Sequence, residues 1–475
     1  MEEKKEEPKS LILPDSRNCE NFLSSLDTRE AIFADLHIHS RFSRACSKNL
    51  DIPSLVKWAR VKGIGLLGTG DFTHNEWLAE IKQLKEDNGI YWYKNPSSSS
   101  YDENSKNADK SNKNDFPFIL SSEISLVYSK DGKGRRVHLV YLAPNLETVN
   151  KINAWLDTKG RRDYDGRPIF KISCRDFAAK MEEIDSRIEV IPAHIWTPWF
   201  GIFGSKGGFD TLKEAFEDKD YLIHAIETGI SSDPEMNWKI KDLNKISIVS
   251  FSDSHSFWPW RLGREATIFR LKEGEKLSYD LILKQIRENS FIGTVETDPC
   301  YGMYHFDGHR NCNFSCSPKE TLNLNKICPV CKRGLTVGVE YRVNELAKKA
   351  EANPENKKCY FRLLPLHEII SLGLGIGVNS KGSWKIYNEL IDKFGTEFNV
   401  LLNVSCEEIN KVIKNKIVSD LIILNRKGKI NVRPGYDGTY GKAIIGGKEK
   451  EIGSESSDSE DSSTTKKRDL QKKLF

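Results

Sequence analysis

The chain has 475 residues, 38% of them hydrophobic and 29% charged, with a net charge of +4 at neutral pH. That length predicts two to four domains with real cores, and a charge so near balance gives no sign of a nucleic-acid partner from composition alone. No apolar run approaches the roughly 18 residues of a membrane span, and the N-terminal MEEKKEEPKS is charged with no signal-peptide core behind it, so a soluble intracellular (cytoplasmic) protein without a membrane partner is expected.

Residues 1–27 form a separate N-terminal segment. From there to about 298, strand-like and helix-like runs alternate. AIFADLHIHS is an apolar run ending in polar residues, IPSLVKWARVKG has helical spacing and a terminal Gly, IGLLGTGD is the next strand and NEWLAEIKQLKEDNG the next helix. Residues 95–115, NPSSSSYDENSKNADKSNKND, are polar and of low complexity and read as a flexible insertion. The strands that follow are FPFILSSEISLVYS, RVHLVYLAP, IEVIPAHI, YLIHAIETG and KISIVSFSDSH. About seven short buried strands, several separated by helical patterns, predict an α/β architecture of the β/α type. Residues 299–345 make a small cysteine module, 346–447 a helical region, and 448–475 a disordered Ser-, Glu- and Asp-rich tail. Within the helical region GLGIGVNSKG (373–382) reads as a turn between helices, which can present amides to a phosphate. VRPGYDGTYGKA (432–443) is a Gly-rich turn.

Nine residues of metal-binding type stand near the ends of those strands: His37 and His39, Asp71 and His74, Glu123, His138, His194, and Asp253 with His255. Six of the ten histidines fall in this set. Imidazole with carboxylate suits zinc, manganese or iron, and nine ligands exceed the needs of one ion, so a cluster of two or three is expected. His37 and His39 lie two apart on one strand and share a face, as do Asp253 and His255. One such ion lowers the pKa of its water to about 7, and two roughly 3.5–4 Å apart can clamp a phosphate ester, with Glu123 bridging them. Phosphoester hydrolysis is the leading chemistry, with Asp253, Glu123, His39 and His255 the expected catalytic groups. Catalytic zinc, manganese or magnesium all remain open.

The segments DLHIHS, GTGDFTH, the lone Glu123 and SDSH resemble the polymerase-and-histidinol-phosphatase (PHP) domain over residues 28–298. That resemblance implies a distorted seven-stranded β/α barrel with a trinuclear site. His37, His39, Glu123 and Asp253 would hold the first ion, Glu123, His138 and His194 the second, and Asp71 and His255 the third, with His74 as a further candidate. The second motif departs from the usual Asp-His pair, reading Asp71-Phe72-Thr73-His74.

Cys328 and Cys331 form a Cys-x-x-Cys knuckle, and His309, Cys312 and Cys316 lie upstream at workable spacing. Two knuckles about 15 residues apart match a structural zinc site, with His309 or Cys316 as the open choice for the fourth ligand. A PHP core followed by this module, LHEIISLGLGIGVNSKGSW and PGYDGTYG is similar to the endonuclease Q family. The resemblance implies a DNA repair nuclease that nicks 5′ of a deaminated base (uracil, hypoxanthine or xanthine) or of an abasic site. A PHP-type small-molecule phosphatase is the alternative. The terminal RDLQKKLF resembles a shortened sliding-clamp-binding peptide anchored by Gln471, Leu474 and Phe475, so damaged DNA and a sliding clamp are the expected partners.

Overall fold

Each of the seven apolar runs contains a strand in the computed structural model, which describes residues 30–94, 115–354 and 357–445 together with the short strand Lys448–Glu449. The N-terminal segment, nearly all of the 95–115 insertion, and the tail carrying Gln471, Leu474 and Phe475 lie outside the described residues. β1 (Ala31–Asp35) pairs in parallel with β2 (Leu66–Gly68), and β2 in parallel with β3 (Phe116–Lys130). β3 runs antiparallel to β4 (Lys133–Ala143), and β4 antiparallel to β5 (Glu189–Pro192). β6 (Ala225–Glu227) and β7 (Ser247–Val249) form a second, parallel ladder. Single contacts join the two ladders. Ile195 N donates to Glu227 O at 3.2 Å, and Ile38 bridges Ser254, where His39 N donates to Ser254 O at 2.9 Å.

β8 (Ala266–Arg270) lies antiparallel on β1, and β9 (Gly293–Glu296) antiparallel on β8. A small hairpin of β10 (Asp307–His309) and β11 (Phe314–Cys316) carries the cysteine module, and β12 (Cys359–Arg362) returns to pair with β9. The molecule is a mixed α/β fold around one eleven-stranded sheet. No helix among the described residues is long and apolar enough to cross a membrane.

Two segments differ from their sequence pattern. NEWLAEIKQLKEDNG is helical only over Asn75–Ile81 and then turns into a hairpin of Lys85–Asp87 and Ile90–Tyr93. The cause is Asn88-Gly89, whose φ angles of 54° and 75° make the left-handed two-residue turn that antiparallel strands favour. The 346–447 region is helical in its middle but begins with β12 and ends in the strand pair Asn431–Arg433 and Lys442–Ile445.

The helical region is anchored to the sheet's helices by a buried ion pair. α1 (Ile52–Lys62) starts on Asp51, whose side chain accepts from Ser54 N, and stops at Gly63 in left-handed conformation. Its last residue, Lys62, is buried. Its ammonium donates to Glu397 Oε1 at 2.6 Å and to Pro259 O at 2.8 Å. Glu397 starts α4 (Glu397–Leu402), which follows α2 (Leu366–Leu374) and α3 (Lys381–Phe394). It also accepts from Tyr387 Oη and Leu366 N, both at 2.9 Å. Around this pair Trp58, Trp258, Trp260, Trp384, Tyr387 and His367 pack ring against ring. Breaking one side of a buried pair strands the other charge, so Lys62→Met is expected to cost about 3–5 kcal/mol of unfolding free energy, read from denaturant titration.

A second buried acid sits under the strand ends. Glu296 accepts from Thr294 at 2.5 Å, Thr228 at 2.9 Å and Ser250 at 3.0 Å, and Glu265 lies against the same Ser250 at 3.4 Å. Burial lifts the Glu296 carboxyl from its usual 4.5 to about 8. The folded chain therefore keeps a proton there that the unfolded chain releases, and stability falls as pH rises through that window. Glu296→Gln, neutral throughout, is expected to flatten the fall and add about 1–3 kcal/mol at pH 8, read from urea midpoints at pH 5 and pH 8.

Candidate metal centre

Where β1 runs out, His37 and His39 turn to the same side, as their two-residue spacing requires. His37 Nδ1 is held by Glu227 Oε1 at 2.8 Å, which leaves Nε2 facing Glu123 Oε2 at 3.6 Å and Asp253 Oδ1 at 3.5 Å. His39 Nδ1 is held by Asp71 Oδ1 at 2.9 Å, and its Nε2 faces Asp253 Oδ1 at 3.1 Å and Glu123 Oε2 at 3.2 Å. The other oxygen of Glu123 looks the opposite way: Oε1 lies 2.8 Å from His138 Nδ1 and 3.1 Å from His194 Nε2. Two ligand groups thus share one carboxylate, His37–His39–Glu123–Asp253 and Glu123–His138–His194, with the ligand atoms of each within 4.8 Å of one another.

The backbone is bent to reach this arrangement. Asp71, His194 and Asp253 have φ angles of 46°, 32° and 47°, in the left-handed region that non-glycine residues rarely occupy and that concentrates at functional sites. Gly229 makes room for one of them, since a Cβ there would lie 2.5 Å from that of His194.

The donor set fits divalent cations on two observations. His37 Nε2 is fully buried and has no hydrogen-bond partner, although its other nitrogen is fixed by Glu227; an imidazole lone pair aimed at two carboxylates is what a cation would take. His138 Nδ1 and His194 Nε2 are 3.3 Å apart, and two nitrogens bound at roughly 2.0–2.1 Å to one tetrahedral ion stand about that far apart. Electrostatics agree. Against their own burial, Glu227, Glu123 and Asp253 hold His37 above the usual imidazole range, and Asp71, Asp253 and Glu123 do the same for His39. Burial pushes His138 down to about 3, so it is neutral and free to ligate. Glu123 and Asp253 stay well below the ordinary carboxylate range despite burial, Glu123 chiefly through Arg167, His138 and His37, and Asp253 through His37, His255 and His39.

In the cysteine module His309, Cys312, Cys328 and Cys331 converge. His309 Nδ1 lies 3.1 Å from Cys312 Sγ and 3.3 Å from Cys331 Sγ. Against burial, the amides of Cys331 and Val330 draw the Cys328 thiol down to about 6. These residue types fit a closed zinc site. Cys316 is not among them. The β10–β11 register sets it opposite Asp307 rather than His309, and its sulfur turns to Thr321 Oγ1 at 3.1 Å. Of the two choices left by the spacing, His309 is the residue brought in.

Residues 365–429 match the family described as MJ0043 C-terminal domain. Uncharacterized protein MJ0043 of Methanocaldococcus jannaschii is 32% identical over 60% of this chain, which spans only 34% of that protein's length. Uncharacterized protein YqxK of Bacillus subtilis is 27% identical over 86% of this chain and 98% of its own. The crystal structure of the lesion-specific endonuclease PfuEndoQ from Pyrococcus furiosus superposes with a TM-score of 0.74 at 30% identity, over 87% of this chain and 95% of that one. A complex of endonuclease Q with a 27-mer duplex bearing an abasic lesion at the active site gives the same score and identity over 87% and 96%. The chain belongs to the endonuclease Q family.

Among the described residues, three of the nine expected ligands join no group. Asp71 spends its oxygens on His39, on Ser40 N and Oγ at 2.6 and 2.7 Å, and on Ser43 Oγ at 2.9 Å. It orients His39 instead of standing in a ligand group of its own. His74 is buried flat against Phe42, ring centroids 4.2 Å apart, with Nδ1 unpartnered. His255 stacks on His39 at 4.5 Å, with Nε2 3.5 Å from Asp253 Oδ1 and Nδ1 3.2 Å from Cys46 Sγ. The third group expected from the family pattern is therefore not assembled among the described residues. Of the aromatics after His194, Trp196 is buried, Phe200 stacks on His138 at 4.3 Å, and Trp199 is 42% exposed. The Arg264 guanidinium is tied to Ser252 O at 3.0 and 3.2 Å.

The sequence reading missed two residues. Glu227 is fully buried and holds both His37 Nδ1 and His194 N, the latter at 2.8 Å. Its signal was an acid closing the apolar strand in YLIHAIETG, the same position in which the other strands carry Asp or His. Arg167 donates to Glu123 Oε2 at 2.9 Å. Outer carboxylates of this kind set ligand orientation. Glu227→Ala is expected to weaken divalent-cation binding by about ten- to hundredfold, measured by competition with a chromogenic chelator.

Proposed function

We propose that this chain is a cation-dependent DNA repair endonuclease that hydrolyses the phosphodiester 5′ of a deaminated base (uracil, hypoxanthine or xanthine) or of an abasic site. One observation carries the reading: the buried Glu123 turns each carboxylate oxygen to its own set of ligands, in a chain that superposes on lesion-specific endonuclease Q. The complex of that enzyme with an abasic duplex supports damaged DNA as the partner.

The proposed organisation is a distorted seven-strand PHP barrel built from β1 to β7 within residues 28–298, a zinc module over 299–345 and a DNA-holding helical region over 346–447. A sliding clamp as further partner, through Gln471, Leu474 and Phe475, is supported by the sequence pattern alone. Zinc is the proposed ion of the cysteine module, and zinc, manganese or magnesium of the catalytic cluster.

Glu123 and its partners would hold two cations, which would supply Lewis acidity to make water nucleophilic near neutral pH and to offset charge on the phosphate. The remaining steps belong to the chain. Glu227 and Asp71 fix His37 and His39 from behind, so little reorganisation accompanies the reaction. Asp253, with 28% of its side chain exposed, and His255, at 30%, line the mouth through which a backbone phosphate would approach. The water oxygen adds to phosphorus as its proton passes to bulk water, the bond from phosphorus to the 3′ oxygen breaks, and that oxygen takes a proton delivered by His255, which Asp253 holds in place. The products are a 3′-hydroxyl and a 5′-phosphate.

The test is nicking of end-labelled duplexes carrying uracil, hypoxanthine or an abasic site, with and without Mn²⁺ or Mg²⁺, beside a simple phosphomonoester. Cutting of the lesion duplexes with little phosphomonoesterase activity is expected, and the reverse pattern would make the chain a phosphatase. His39→Ala and Asp253→Ala are each expected to lower nicking on the order of a thousandfold while gel shifts still show duplex binding. Wild-type cutting by either variant rules the reading out.

A further inference from the structure

Arg167 lies in none of the motifs that suggested the site, yet its guanidinium touches the residue at the centre of it. Nη1 donates to Glu123 Oε2 at 2.9 Å, the oxygen that also faces His37 and His39. A carboxylate oxygen has two lone-pair directions, so this one can serve the first ligand group and Arg167 together. Among the described residues Glu123 is the only side-chain partner of that guanidinium, and about a quarter of the Arg167 side chain (24%) is exposed while Glu123 is not. Its remaining N–H groups therefore border the mouth of the cluster.

The backbone that carries Arg167 is fixed from both sides. Gly166 passes so close to Asp71 that a Cβ would lie 2.2 Å from Oδ2, and its own N donates to Phe42 O at 3.1 Å. Thr73 Oγ1 donates to Gly166 O at 3.1 Å, Arg167 N donates to Asp165 Oδ1 at 3.1 Å, and Ser125 N donates to Pro168 O at 3.1 Å. The segment is thus tied to the loops after β1 and β2 and to β3. Such anchoring places a guanidinium at one spot, where a flexible surface arginine would sample many.

We propose that Arg167 is a catalytic residue that binds a non-bridging oxygen of the scissile phosphate and stabilises the charge gathering there as the phosphorus is attacked. The inference rests on the nuclease reading of the same site. Guanidinium suits the role because it is always charged and can serve a carboxylate and a phosphate oxygen from one planar fork. Its charge also repels cations held at Glu123, so its removal has a second and opposite consequence.

The experiment compares wild type, Arg167→Met and Arg167→Lys on a lesion duplex at saturating cation, with cation affinity measured separately by chelator competition. Arg167→Met is expected to lower kcat on the order of a hundredfold with a smaller change in KM, and to bind cations on the order of tenfold more tightly. Arg167→Lys keeps the charge but loses the fork, so near wild-type cation affinity with kcat still reduced is expected. A group that merely neutralises buried Glu123 gives full rescue by lysine, and weaker cation binding in the methionine variant; either result overturns the proposal. If Arg167→Met does not fold, the lysine variant decides on kcat at unchanged cation affinity. If wild type cuts no lesion duplex, the nuclease reading fails on its own, while unchanged or weaker cation affinity in Arg167→Met still disposes of the Arg167 proposal.

Discussion

A carboxylate buried without solvent must find compensation for both of its oxygens, and Glu123 is the point where this demand organises the molecule. It sits inside β3, where neither face of the sheet is open to water. Its compensation comes from four imidazoles and a guanidinium supplied by four separate stretches of chain. The β3–β4 hairpin sets half of that geometry. Its register opposes Ser125 to His138 and Glu123 to Val140, so Glu123 and His138 project from the same face one step apart. A slip of one residue would send His138 to the other face. The turn that prevents the slip is Asp131-Gly132, both left-handed, with φ of 53° and 72°.

The other half comes from strand ends bent out of the ordinary backbone regions. Asp71, His194 and Asp253 share a left-handed conformation that costs on the order of 1–3 kcal/mol each. They persist because what surrounds them over-determines their position. Glu227 holds the amide of His194 and the ring of His37 with its two oxygens. Asp35, the buried last residue of β1, accepts from Ser252 N and Oγ and from Gly263 N at 2.6–3.0 Å, closing the loop that presents Asp253 and His255 at its base. Thus each ligand-bearing loop is tied to a carboxylate that is not itself in a ligand group. This second tier of acids is why the ligand side chains are aimed before any cation or substrate arrives.

Much of this was legible in the residues. Apolar runs ending in His, Asp or Glu announced both the strands and the chemistry, because residue type at a strand end is a local property. What stayed hidden depends on distance. Glu227 lies 190 positions from His37, and nothing local in IETG says which imidazole it will meet. Arg167 lies outside every motif, and nothing local in YDGRPIF says that it will meet Glu123. Asp71 had the right residue type, but its neighbours Ser40 and Ser43, drawn in by the fold, take the oxygens that an ion would need. Cys316 was at workable spacing yet on the wrong register of a three-residue strand pair. In the helix that became a hairpin, the Asn88-Gly89 signal was present in the sequence and outweighed helical periodicity, since a left-handed pair of residues cannot continue a helix.

The C-terminal helices, although distant in sequence from the ligands, belong to the same mechanical unit. Lys62 reaches from α1 to Pro259 O and Glu397 at once, and Pro259 lies only four residues past His255. Trp258 and Trp260 flank that proline, stack on each other at 5.2 Å and pack against Trp384 of α3. The loop carrying Asp253 and His255 is therefore clamped at one end by Asp35 and at the other by residues of the segment 365–429. An ammonium, a carboxylate and four indoles packed into one contact leave little freedom for the helical region to move independently of the site's rim. On the proposed nuclease reading, a duplex held by those helices would be registered against the ligand cluster by the fold itself.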